Sequence, residues 1–206
     1  MQLVIETALT ACSVALVDGD RCLAERHAEI GRGHAERLIP MVAELLEEVR
    51  GRNITAILVD VGPGSFTGLR VGVAAAKAFG LAWGAPVQGV TSTALIAAGS
   101  FAAHPMLDSL YVTLDAARGQ VYTQGFDRNG PTSDVQALDP ADAAREAEAY
   151  SAMAGSGIAL LAALNAALPA VPPLLPRATD ARYLHPGYAR PAAPLYVRAP
   201  DARLPA

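Results

Sequence analysis

Ala56-Ile57-Leu58-Val59-Asp60-Val61-Gly62-Pro63-Gly64-Ser65-Phe66-Thr67-Gly68-Leu69-Arg70 passes from an apolar, β-branched run through a glycine-rich turn into an alanine-rich stretch. The pattern predicts a strand, a tight turn and the N-terminus of a helix. Such a turn has two uses. Free N–H groups and the positive helix end favour an anion, whereas glycines let another backbone approach closely. The nucleotide motifs fit badly. A dinucleotide fingerprint needs G-x-G-x-x-G and an acid about twenty residues on. Here Gly68 comes one position late, and no Asp or Glu occurs between Asp60 and Asp108. A Walker A loop ends Gly-Lys-Ser/Thr, but Gly68 is followed by Leu69-Arg70. Pro63 stands two residues before Ser65, so the G-x-S-x-G nucleophile elbow is absent too. A helix-packing turn suits these residues better than a phosphate cradle.

Around this turn lies a chain of 206 residues, 52% hydrophobic and 17% charged, enough to bury a core in one two-lobed domain or two small ones. The net charge is −4 and the basic residues are spread out, which argues against an electrostatic footprint for nucleic acid. From Arg177 to Ala206 five arginines face two aspartates, a bias that a solvated tail explains as well as an RNA contact. Ala78–Leu107 and Ala149–Pro176 carry no formal charge, yet Ala and Gly dominate them, so they read as buried helices and strands instead of membrane spans. No basic region precedes an apolar core at the N-terminus, and a cytoplasmic protein is expected. Cys12 and Cys22 flank an expected hairpin turn at Asp18-Gly19. That turn would set Ala15 opposite Cys22 and leave Cys12 roughly 10 Å off, too far for a disulfide.

Leu3–Ile5, Cys12–Val17 and Cys22–Ala28 read as strands. In Ala35–Val49 the apolar residues recur at three and four, a helix with Pro40 kinking it or confining its first turn. Strand Ala56–Val61, the glycine turn, a helix to about Trp83 and strand Val87–Val90 complete the order of a ribonuclease-H-like lobe. A second unit opens after His104-Pro105 with a hairpin of Leu110–Asp115 and Gln120–Phe126, followed by helix candidates Pro140–Met153 and Ile158–Leu168 and a proline-punctuated tail. The division expected is residues 1–103 and a smaller lobe 104–206, a duplication with a shortened second copy.

Chemistry-bearing residues are few. His27, His34, His104 and His185 lack the i, i+4 spacing of a helical metal pair. Glu6, ending the first strand before Thr7, is the best functional carboxylate. In folds of this order such an acid points into the interlobe cleft, where it can hold a hydrated metal or orient a phosphate. Asp60 and Asp115, also at strand ends, are the candidates for a second acid. Gly68, Gly72, Ala76 and Gly80 fall at four-residue steps and form a side-chain-poor stripe. Glycine in a helix costs roughly 1 kcal/mol against alanine, so a close contact must offset it. That contact is either this lobe's own sheet or another subunit.

Ile5-Glu6-Thr7, Cys12–Leu16, His34 with Pro40, Gly62–Arg70, Asp115–Tyr122 and Pro194–Arg198, in order over nearly the whole chain, resemble the TsaB (YeaZ) family. The resemblance implies two lobes of the actin-like ATPase superfamily and a non-catalytic partner of TsaD, which with the ATPase TsaE makes threonylcarbamoyladenosine beside the tRNA anticodon. TsaD-like chains carry a metal-binding histidine pair that would fall here at Ser92 and Ile96. The family's first acid is Asp where this chain has Glu6. Its Asp-Ala-Arg-x-Gly-Glu-Val-Tyr loop reads here Asp115-Ala116-Ala117-Arg118-Gly119-Gln120-Val121-Tyr122. The expectations are therefore no metal, no required cofactor, at most weak nucleotide binding through Glu6, Thr7, Gly62, Gly64, Ser65 and Asp115, and tRNA contact only through the complex. The partner surface, for TsaD or a homodimer, is expected on Leu38, Met41, Val42 and Leu45 together with Gly68, Gly72, Ala76 and Gly80. A small kinase or nucleotide hydrolase of the same superfamily is the alternative, and a glycoprotease-like metallopeptidase a third reading that the absent histidines oppose.

Overall fold

The computed structural model describes residues 1–197 except Gly51, Ala166 and Leu168. Its first sheet begins with β1 (Gln2–Glu6), β2 (Ala11–Asp18) and β3 (Arg21–Glu29), continues through α1 (His34–Glu48) to β4 (Ala56–Asp60), then through α2 (Phe66–Trp83) to β5 (Val87–Val90). α3 (Ser92–Ala103) leads to the second sheet: β6 (Ser109–Asp115), β7 (Val121–Asp127), β8 (Gly130–Pro131), β9 (Gln136–Leu138) and, beyond α4 (Pro140–Ala147), β10 (Ala152–Ala154). α5 (Ile158–Ala162) and β11 (Arg190–Pro191) follow. The first sheet has the order β11-β5-β4-β1-β2-β3, the second β10-β6-β7-β8 with β9 on β7. β1 is parallel to β4 and β4 to β5, so the ends of β1 and β4 stand side by side.

The apolar rows dictate the layers. Leu38, Met41, Val42 and Leu45 of α1 and Val73 and Ala76 of α2 pack with Leu3, Ile5, Val14 and Val59 on one face of the first sheet. The opposite face, with Val4, Ala15 and Leu58, meets α3 and the second sheet's Leu110, Val112 and Phe126 in a shared core. α3 itself had no assignment in the sequence because it is apolar all round, with eight of its residues buried and no polar stripe to set a period.

Several expectations are corrected. The hairpin turn is Gly19-Asp20, with Asp18 opposite Arg21 and an irregularity at Leu16/Val17, so Cys22 faces Val17 and not Ala15. Both cysteines are free. α1 begins at His34 and holds Pro40 beyond its first turn, so the proline does not confine that turn. The helix expected over Pro140–Met153 stops at Ala147, and Ala152–Ala154 pairs in parallel with Leu110–Val112, a short buried strand whose alanines carry no β signature. Ile158–Ala162 replaces the longer helix to Leu168, which lies outside the described residues. The tail does not stay with the second lobe. A 3-10 segment, Ala178–Tyr183, lies against β2 and α3, and β11 pairs with β5, so a cut at residue 103 separates strands of one sheet.

Candidate functional site

The glycine turn is filled by its own chain. A Cβ on Gly64 would lie 2.9 Å from the Ala8 Cβ, and one on Gly68 would overlap the Thr7 carbonyl oxygen. Ser65 N donates to Ala8 O at 2.6 Å, Thr7 Oγ1 donates to Gly68 O at 2.8 Å, and Ser65 caps α2 by accepting from Gly68 N at 3.3 Å. Of the two uses that the sequence left open, close backbone approach is the one built here. The stripe is likewise internal. A Cβ on Gly72 would run into Thr7 Oγ1 and one on Gly80 into Val87 Cγ2, while Ala76 has no exposed surface.

That overturns the surface expected from those residues. Leu38, Met41, Val42 and Leu45 are at most 1% exposed and belong to the core, and Gly68, Gly72, Ala76 and Gly80 face the sheet. Helical spacing marked the buried faces correctly, but a buried face is the one a partner cannot reach. Exposed apolar residues of these packed helices are others, among them Ile39 and Ala43 on α1 and Phe66, Ala74, Ala78 and Leu81 on α2, with Ile39 50%, Phe66 55% and Leu81 88% exposed. Around them α1 carries Glu36, Arg37, Glu44, Glu47 and Glu48, of which Glu44 and Glu48 pair with Arg26 and Glu47 with Arg50, while α2 carries only Arg70 and Lys77. The tail clips onto the start of α2: Leu195 N donates to Val61 O at 2.7 Å, Arg70 Nε donates to Tyr196 OH at 3.1 Å, and the Arg70 guanidinium lies 3.6 Å from the Phe66 ring centre. Arg198 of the same motif lies outside the described residues.

Glu6 and Asp60 come together, as register neighbours beyond the Ile5–Val59 pair, but they do not face an open cleft: both are fully buried. Glu6 Oε1 accepts from Ala8 N at 2.8 Å, and Asp60 Oδ1 accepts from Gly62 N at 2.7 Å. Burial, and then the charge of Asp60, push the Glu6 carboxyl well above the ordinary range, and burial pushes Asp60 up to about 7. Asp115 stays apart, exposed at the end of β6 with its N–H donated to Ser156 Oγ at 3.1 Å. Ser92, at the start of α3, has its Oγ 2.8 Å from Asp60 Oδ1 and 3.0 Å from Pro63 O, and Ile96 is in the core. Among the described residues no group of three or more His, Cys, Asp and Glu could hold a metal. His34 is no catalyst by position: its buried Nε2 lies 3.0 Å from Ala11 O, tying α1 to β2. A separate cleft of about 440 Å³ opens between the end of β3 and the Gly155–Gly157 turn, lined by His27, Glu29, Ser156, Leu174 and Arg177. Sequence reasoning named none of these as cleft residues, since they are brought together only by the tail's return.

Comparison with known proteins fits this arrangement. The model of the family described as TsaD, tRNA N6-adenosine threonylcarbamoyltransferase, matches residues 25–181. YeaZ from Pseudomonas aeruginosa superposes with a TM-score of 0.78 at 26% identity, covering 95% of this chain and 98% of that one. The Escherichia coli tRNA threonylcarbamoyladenosine biosynthesis protein TsaB is 35% identical over 62% of this chain and 55% of its own length.

The chain belongs to the TsaB (YeaZ) family.

A Mycobacterium tuberculosis protein without assigned function is 36% identical over 98% of this chain and 93% of its own. The match to the E. coli TsaB is shorter, about half of that protein, and falls in a region that both share. The fold is thus that of YeaZ, two α/β lobes of the ribonuclease-H-like, actin-like kind. No helix among the described residues is long and apolar enough to cross a membrane.

Proposed function

We propose that this TsaB-family chain serves threonylcarbamoyladenosine formation in tRNA as a non-catalytic partner of a TsaD homologue, with a TsaE homologue joining the pair and tRNA reached only through the complex. The observation that carries the reading is the pair of positions where TsaD-like chains are expected to hold histidines. Here they are Ser92, tied to Asp60 and Pro63, and Ile96, packed in the core, so neither offers an imidazole. The partner surface in this reading is the outer face of α1 and α2 around Ile39, Ala43, Ala74, Ala78 and Leu81. Exposed apolar side chains on two neighbouring helices, flanked by charged residues, suit a helical partner of the same fold, and a second copy of this chain meets the same requirement.

Reconstitution tests the reading. The chain alone should transfer no threonylcarbamoyl group, bind no stoichiometric metal and hydrolyse ATP no faster than background. Added to a TsaD homologue, it should raise tRNA modification. Turnover by the isolated chain, abolished by Glu6→Ala, would move the reading to a kinase or nucleotide hydrolase.

A further inference from the structure

Each carboxyl at the ends of β1 and β4 has one oxygen satisfied and one orphaned. Glu6 Oε2 and Asp60 Oδ2 are buried with no hydrogen-bond partner. The satisfied oxygens are held by backbone N–H groups and the Ser92 hydroxyl, with no lysine or arginine among them. Two adjacent, fully buried carboxylates with no hydrogen-bonded cation among the described residues cannot both stay ionised. We propose that Glu6 and Asp60 share one proton between Oε2 and Oδ2, a carboxyl–carboxylate bond that clamps the glycine turn to the end of β1. Each carboxyl also has two donors that favour its ionised form, the Ala8 and Leu9 N–H groups for Glu6 and Gly62 N–H with the Ser92 hydroxyl for Asp60, so the proton is held between the two and not ceded by one. A hard cation would neutralise the pair too, and Mg²⁺ needs only one or two carboxylates if waters complete its shell, but the two orphaned oxygens here are buried away from solvent.

The surroundings leave the pair to itself. β2 brings Cys12, whose thiol burial and the Glu6 carboxyl raise to about 11, and Ser13, whose Oγ accepts from Ala178 N. α1 brings His34, engaged with Ala11, and Arg37, whose charge reaches Cys12. The buried face of α2 is Gly68, Leu69, Gly72, Val73, Ala76 and Gly80, and α3 contributes Ser92. The bond spans two backbone turns, Glu6–Ala8 and Asp60–Gly62, which also meet through Ser65 N and Ala8 O. Loss of the proton would force two like charges apart at the point where α2 begins.

Both carboxyls are raised above their unfolded values, so the folded chain holds more protons, and stability is lost as pH rises through the folded values. Denaturation of the full chain from about pH 5 to about pH 9 should show the unfolding constant rising about tenfold per pH unit for each proton released. The measurement is made with Asp180→Asn in all samples, because Asp180 is also raised, to about 6. Glu6→Gln places an amide N–H where the shared proton lies, so it should fold, lose most of this rise and match or exceed the parent at alkaline pH. Infrared spectra of the parent at neutral pH should show an un-ionised carboxyl stretch that Glu6→Gln lacks, and that readout stands even if the variant folds poorly. An absent stretch, an unchanged pH slope in Glu6→Gln, or loss of parent stability on adding a chelator would each overturn the proposal.

Discussion

Gly68→Ala isolates the contact on which the start of α2 is built. Its methyl would overlap the Thr7 carbonyl oxygen and lie 3.2 Å from the carbonyl carbon, where ordinary carbon contacts begin at about 3.5 Å. The obstacle is backbone, anchored on a fully buried strand end, so the helix must retreat. Overpacking of this kind costs about 1–3 kcal/mol. Retreat also stretches the buried 2.8 Å bond from Thr7 Oγ1 to Gly68 O, and stranding those groups costs about 1–3 kcal/mol more. The gain in helix propensity returns about 1 kcal/mol. The net is about 3 kcal/mol of destabilisation, or roughly 6–12 °C in Tm for a chain of this size. Urea denaturation of the variant beside Ala74→Gly, an exposed helical position that should lose only about 1 kcal/mol, separates packing from propensity. A Gly68→Ala protein as stable as the parent would refute the internal-packing account of the stripe.

Three further outcomes are expected. Ile39→Asp and Leu81→Asp, at 50% and 88% exposed positions, should leave Tm within about 2 °C while weakening association with a TsaD homologue at least tenfold by calorimetry. Asp180, raised by burial to about 6, adds stability that is full below its ordinary value and is lost as pH rises through about 6; Asp180→Asn should remove that fall, worth at most about 3 kcal/mol, in paired pH denaturation series. Tyr196→Ala removes the acceptor for Arg70 and the ring beside Phe66, so amide exchange in the first turn of α2 should speed up severalfold while the global Tm moves little.

How far the sequence reaches differs between fold and site. Strands β1, β2, β4 and β6 are buried on both faces and were legible as short β-branched apolar runs bounded by turn residues, while α1 was legible because its polar face leaves a 3.6 period. α3 and β10 were not, because both are built largely of small residues that carry neither a β-branched run nor a polar stripe. The tail's return was invisible: two residues, Arg190 and Pro191, pairing across a long separation leave no local pattern. At the site the sequence named Glu6 and offered Asp60 and Asp115 as its companions. It could not tell a cleft carboxylate from a buried one, since that depends on the turn at Thr7-Ala8 closing over the strand ends. The expected partner surface was placed on residues that the fold buries. Apolar periodicity reports what the chain itself covers, and the residues left over, Ile39 and Leu81, stand out only once that burial is known.

The most direct test of the functional claim is tRNA threonylcarbamoylation reconstituted from purified TsaD and TsaE homologues, with this chain present, absent or carrying Leu81→Asp. The account predicts modification only when the unaltered chain is present, co-elution of that chain with the TsaD homologue, and loss of both in the variant while its Tm holds. Modification at an equal rate without the chain, or catalysed by the chain alone, would contradict it.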